Sequence, residues 1–190
     1  LLIKIDRASS SISYYKPDGT LLLKERKKDS RTMEAFQSYR VEQAGQIEHI
    51  QTADGVKQFV KDAVRVPDKQ LYHTRMHFEW QQGEALYGLG QHEEGVLNLR
   101  GHQVYLHQAN RKIAIPLLVS SLGYGILMNT SSTMIFSDTE YGSYLYTEAV
   151  PRLDFYFING EGMDGVVREY RRLTGKASML PRWAFGYLQS

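Results

Sequence analysis

Along most of this chain, apolar and polar positions alternate in short runs bounded by turn residues, and only one late stretch changes to a helical period. Residues 11–15 alternate, Pro17-Asp18-Gly19 carries turn chemistry, and residues 21–23 resume a strand, which predicts a hairpin. Further strands are predicted at 47–50, 56–60 and 71–80. In the last of these Tyr72, Thr74, Met76, Phe78 and Trp80 share one face, while His73, Arg75, His77 and Glu79 share the other. One buried and one solvated face is the habit of an antiparallel sandwich. Strand patterns continue at 104–106, 113–121, 124–128, 133–137, 143–147 and 153–158.

The helical stretch begins with Asp164 as the expected cap. Val166, Val167, Tyr170 and Leu173 form its apolar face, Arg168, Arg171 and Arg172 sit toward its carboxyl end, and Gly175 is the expected terminator. The following Pro181-Arg182-Trp183-Ala184-Phe185-Gly186 opens what reads as a new strand running to Ser190. Such a strand either pairs at a sheet edge or belongs to a larger body. The expected fold class is therefore all-β, an antiparallel β-sandwich with one C-terminal helix.

Composition narrows the function classes. The 190 residues are enough for one core, and no apolar run approaches the ~20 residues of a membrane helix, so no membrane partner is expected. The 23 basic and 21 acidic residues are scattered and leave a formal charge of +2, without the basic stripe that nucleic acid requires. The densest basic run, residues 24–31, also contains Glu25 and Asp29 and reads as a solvated loop. There is no cysteine, hence no disulfide framework or thiolate metal site, and no cofactor or metal is expected.

Several residues invite chemistry and have plainer readings beside it. Gly88 and Gly90 suit positive φ or close backbone approach at a loop after 86–87. Gln91-His92-Glu93-Glu94 sets a histidine beside two carboxylates, a group able to move protons or hold a metal. Adjacent residues on one loop seldom converge on a point, so a hydrogen-bonded or solvated loop is expected. Trp80 and Trp183 are expected in packing rather than as sugar-stacking platforms. His102 and His107, flanking 104–106, read as ordinary strand-end groups.

Four segments in order, Tyr87-Gly88-Leu89-Gly90-Gln91-His92, Gln108-Ala109-Asn110-Arg111, Ile115-Pro116-Leu117-Leu118-Val119-Ser120-Ser121 with Gly123-Tyr124-Gly125-Ile126-Leu127-Met128-Asn129, and Leu180-Pro181-Arg182-Trp183-Ala184-Phe185-Gly186, resemble family 31 glycoside hydrolases. The resemblance covers almost the whole chain. It implies a galactose mutarotase-like supersandwich over residues 1–178 and, over 179–190, the start of a catalytic (β/α) barrel. It also implies that both catalytic carboxylates of a retaining α-glycosidase lie in that barrel, so that no catalytic residue is expected in this chain. Gln91, where many members carry Glu, resembles an α-xylosidase-like branch.

The same resemblance sends the loop bearing Gln108, Asn110 and Arg111 toward the sugar pocket. Amide and guanidinium groups suit sugar hydroxyls by offering donors and acceptors in a fixed plane. Many relatives read Asn-Arg-Asp there; this chain has Lys112 in the Asp position. The expected partners are an oligosaccharide substrate and the protein's own barrel, in a secreted or periplasmic setting. A free-standing carbohydrate-binding module, which needs an exposed aromatic platform, and an aldose epimerase, which needs a converging His and Glu, remain competing readings.

Overall fold

The structure, a computed structural model, describes residues 1–187. In chain order its strands are β1 (Leu2–Ile5), β2 (Ile12–Tyr15), β3 (Leu21–Glu25), β4 (Arg31–Gln43), β5 (Gln46–Thr52), β6 (Gly55–Lys61), β7 (Val64–Glu79), β8 (Leu86–Gln91), β9 (Gln103–Leu106), β10 (Ile113–Ser120), β11 (Tyr124–Met128), β12 (Met134–Thr139), β13 (Gly142–Val150) and β14 (Phe155–Asn159). One α-helix, α1, spans Gly162–Thr174, and a 3-10 turn spans Arg182–Phe185.

The larger sheet runs β1-β2-β3-β7-β13-β12-β9, with β4 also paired along β7; a smaller one runs β14-β11-β10-β8, and β5–β6 form a separate ribbon. Each pairing in the two main sheets and the ribbon is antiparallel. The predicted first hairpin is β2–β3, where Lys16 N–H donates to Thr20 O at 2.8 Å and Gly19 takes a φ of 89°.

The core lies between the two main sheets. Leu22, Leu23, Met76, Phe78, Leu106, Met134, Phe136 and Leu145 come from the larger one; Leu86, Leu89, Leu118, Tyr124, Ile126 and Met128 come from the smaller. Tyr14 of β2 stacks on Phe157 of β14 with ring centroids 4.0 Å apart, joining the layers directly. In β7 the alternation holds: Thr74, Met76 and Phe78 are buried, whereas Arg75 and Glu79 are exposed. Trp80 packs against this core and stacks on Phe78.

The smaller sheet is covered on its other face by α1. Val166 is fully buried against Leu117, Val119 and Ile158. Where both faces are covered, at Leu117, Leu118 and Val119, β10 reads as a continuous apolar run instead of an alternation. Its Pro116 lies where the register with β8 shifts between Ala114 and Leu118, a position that tolerates the missing N–H.

Four expectations need correction. Asp164 lies in the first turn of α1 and is not its cap: the chain turns at Gly162, φ 75°, so the helix starts earlier, behind Glu161, which makes no side-chain cap bond. There the Asp164 carboxylate complements the helix dipole. The apolar face is also narrower than expected, since Val167 and Leu173 remain half-exposed. Gly175, φ 90°, does end the helix, its N–H donating to Arg171 O at 3.0 Å.

The run 24–31 is only partly a solvated loop. Lys24 and Glu25 belong to β3, and Glu25 is fully buried with Arg31 Nη2 2.8 Å from each of its carboxylate oxygens. Residues 182–185 coil into a 3-10 turn where a strand was expected, and Leu188, Gln189 and Ser190 lie outside the described residues. Trp183, expected to pack at the barrel entry, is 75% exposed on this turn.

Candidate sugar-facing site

Tyr87-Gly88-Leu89-Gly90 forms strand β8, not a loop after it. Gly88, Leu89 and Gly90 have consecutive positive φ values of 100°, 63° and 103°. The two glycines are required by contact as well as by φ. A Cβ on Gly88 would meet Leu117 O at 2.4 Å, and one on Gly90 would meet Ile113 O at 1.9 Å. Leu89 occupies the left-handed region without glycine's freedom, held by complete burial of its side chain between the sheets.

This backbone brings together two segments that read as separate in the sequence. The end of β8 pairs with the start of β10, Gly90 opposite Ala114 and Gln91 opposite Ile113. The loop after β8 therefore lies beside the turn that enters β10. Across that gap Arg111 Nε meets Glu93 Oε1 at 2.8 Å, and Lys112 Nζ pairs with Glu94 Oε1. Lys112 beside Glu94 holds that carboxyl below its ordinary range. Both carboxylates face cations, and among the described residues neither accepts a hydrogen bond from His92. The His92 ring bonds Leu89 O through Nε2 at 2.8 Å, and its Nδ1 is buried without a partner among the described residues. Among the described residues no group of three His, Asp or Glu side chains is placed to hold a metal.

The three predicted site residues take different positions in the turn. Gln108 spans it, its Nε2 donating to Lys112 O at 2.9 Å and its Oε1 accepting from Ala114 N–H at 3.3 Å, so its amide is committed to closing the turn. Arg111 adopts a φ of 67° and is paired with Glu93. Asn110, at the tip, is exposed and bonds nothing among the described residues. Lys112, which departs from the family pattern, has its charge answered by Glu94; the sequence signal for that pairing is an acidic pair and a basic pair on neighbouring strand ends.

Beside the turn opens a cleft of about 730 Å³ between the end of β8, the 92–99 loop and β9. Gln91, His92, Gln103 and Lys112 supply polar groups to its wall, and Leu97, Val104 and Tyr105 supply apolar ones. A concave, mixed lining of this kind suits a sugar, whose ring has apolar faces and a polar rim. None of Leu97, Gln103 and Tyr105 stands in a motif; only the pairing of β9 with β12 and the return of the loop bring them to the cleft.

Comparison with known proteins agrees with this architecture. Residues 1–136 match the family described as the glycosyl hydrolase 31 N-terminal galactose mutarotase-like domain. An alpha-xylosidase of Saccharolobus solfataricus is 41% identical over 128 residues, 63% of this chain and 18% of that protein. An isomaltosyltransferase of Sporosarcina globispora is 31% identical over the full chain, which corresponds to 16% of its own length. The chain thus spans less than a fifth of either relative. Among solved structures, a family 31 alpha-xylosidase from a soil metagenome, complexed with xylose, superposes with a TM-score of 0.68 at 23% identity, over 93% of this chain and 25% of its own, which is a likeness of fold.

Proposed function

Because this chain belongs to the glycosyl hydrolase 31 N-terminal galactose mutarotase-like domain family, we propose that it is the non-catalytic sandwich of a retaining α-glycosidase acting on α-xylosyl or α-glucosyl oligosaccharides. The observation that carries this reading is the family match over residues 1–136, joined to relatives named for α-xylosidase and isomaltosyl-transfer activity. In this proposal the sandwich ends near residue 178, the segment from 179 leads into a catalytic barrel, and the exposed Trp183 and Phe185 pack there. The two catalytic carboxylates belong to the barrel.

The sandwich lends the barrel its 108–112 turn. Gln108 shapes the turn, Glu93 and Glu94 hold Arg111 and Lys112, and Asn110 presents a free amide to a sugar hydroxyl. The isolated chain is expected to leave an aryl α-glycoside unhydrolysed. In the longer protein that carries this domain, Asn110→Ala is expected to lower kcat/KM by roughly 1–3 kcal/mol of transition-state stabilisation with the fold intact. Steady-state kinetics on xylosyl and glucosyl substrates decide the point: parental kcat/KM in Asn110→Ala and in Arg111→Ala alike would make the turn a simple connection.

A further inference from the structure

Among the described strands β4 neighbours only β7, so its opposite edge is unpaired along its whole length. The strand is regular from residue 33 to 41. The irregularity opposite Ser38 lies in β7, where three steps from Gln70 to Pro67 match two from Gln37 to Tyr39, and the bulge in β4 itself comes only at Glu42. Three large apolar side chains stay open on this strand, Met33 at 49%, Tyr39 at 62% and Val41 at 57% exposure. A long open edge with exposed apolar side chains is a template for another strand.

We propose that β4 pairs antiparallel with β4 of a second copy of this chain, about a two-fold axis at Gln37. The sequence of the strand is complementary to itself in that register. Glu34 falls opposite Arg40 of the other copy, Met33 opposite Val41, and Ala35 opposite Tyr39, and each contact occurs twice because the interface is isologous. Neither Glu34 nor Arg40 makes an ion pair within the described residues of one chain. Neighbouring registers lose the match. Centring on Ser38 sets Glu34 against Glu42, and centring on Phe36 leaves Glu34 opposite Ser38 and Arg40 opposite Thr32. Met33, Ala35, Tyr39 and Val41 lie on one face of the strand and Glu34 and Arg40 on the other. Pairing therefore joins the apolar strips of the two copies on one side and their charges on the other.

Sedimentation of the 190-residue chain over a concentration series is expected to show a monomer–dimer equilibrium. Glu34→Arg and Arg40→Glu, each of which puts like charges opposite one another, are expected to raise the dissociation constant roughly tenfold or more, and the double swap to restore it. The chain has no cysteine, so a single one reports the axis. Gln37→Cys meets its own copy at a Cα separation of about 4.5–5.5 Å, within disulfide reach, and is expected to cross-link on mild oxidation much faster than Tyr39→Cys, which faces Ala35. A chain that stays monomeric up to about 1 mM overturns the proposal. So does a dimer that ignores the single swaps or is not rescued by the double one, or equal cross-linking at the two cysteines. Circular dichroism confirms that each variant keeps its strands; should a single swap lose them, the double swap and the cysteine pair still decide.

Discussion

Glu25 has no solvent exposure, while its partner Arg31 keeps 28% of its side chain open to water. Burial pushes the Glu25 carboxyl up, against the pull of Arg31 and of the Ile12 N–H that donates to it. A carboxyl raised in the folded state favours folding most at a pH below its unfolded pKa, and that contribution is lost as the pH rises through its folded value. Arg31 offsets the loss at neutral pH. Arg31→Ala is therefore expected to cost about 3 kcal/mol at pH ~7, the lower end for stripping a buried charge of its partner, and less as the pH falls and the carboxyl protonates. Glu25→Gln, which keeps an acceptor for Ile12, is expected to cost less. Urea unfolding of both variants at neutral and acid pH checks the order. A single-residue effect of another kind is expected at Gly90, where positive φ and the Ile113 carbonyl both oppose a side chain. Gly90→Ala should lose at least ~2 kcal/mol in the same measurement, whereas Gly19→Ala, strained in φ but in open space, should lose less.

The helix shows how far a periodic pattern reaches. Its apolar spacing placed Val166, Val167, Tyr170 and Leu173 on one face, but the helix meets the sheet mainly through Val166, with Gly165 against the backbone of Gly160 and Tyr170 alongside. Val166→Ala is expected to destabilise by roughly 1–2 kcal/mol, from lost methyl burial and the gap left behind. Val167→Ala and Leu173→Ala, on half-exposed positions, should stay within about 0.5 kcal/mol. Thermal unfolding of the three variants separates a wide apolar face from this narrow one. Strand β4 marks the opposite limit. Its apolar residues Met33, Ala35, Tyr39 and Val41 share one face, but Gln37 interrupts that face and Phe36 sits among the polar residues of the other, so the alternation is too broken to announce a strand. The physical reason is that most of it extends along β7 with neither face sealed in the sandwich, and burial on one face is what writes a period of two into a strand.

Across the whole molecule the two sheets are tied by a polar link as well as by the apolar core. Arg100 donates from Nε to Asp138 Oδ2 at 2.8 Å and from Nη1 to the carbonyls of Gln81 and Glu84, so it joins β12 of the larger sheet to the segment entering β8 of the smaller. Burial alone would raise the Asp138 carboxyl, but hydrogen bonds from Ser143, the Gly101 N–H and Arg100 outweigh it and hold the carboxyl below its ordinary range. A carboxyl lowered in the folded state contributes stability above its unfolded pKa and loses it as the pH falls through its folded value. Asp138→Asn is expected to lower Tm at neutral pH, and the gap from the parent should narrow steadily down to about pH 3. A gap that does not change with pH would show that the link works through shape and not through charge. Most strands, the turn at residues 17–19, the helix and its Gly175 stop could be read from sequence, because side-chain periodicity and turn chemistry are local properties of the chain. So could the two glycines of β8 as sites of positive φ or close approach, although not the carbonyls that require them. The convergence of Glu93 and Glu94 with Arg111 and Lys112, the commitment of Gln108 to its own turn, the burial of Glu25 and the open edge of β4 were decided by tertiary structure. Each depends on which distant strands pair and in what register, and that is set by the joint burial of two whole sheets.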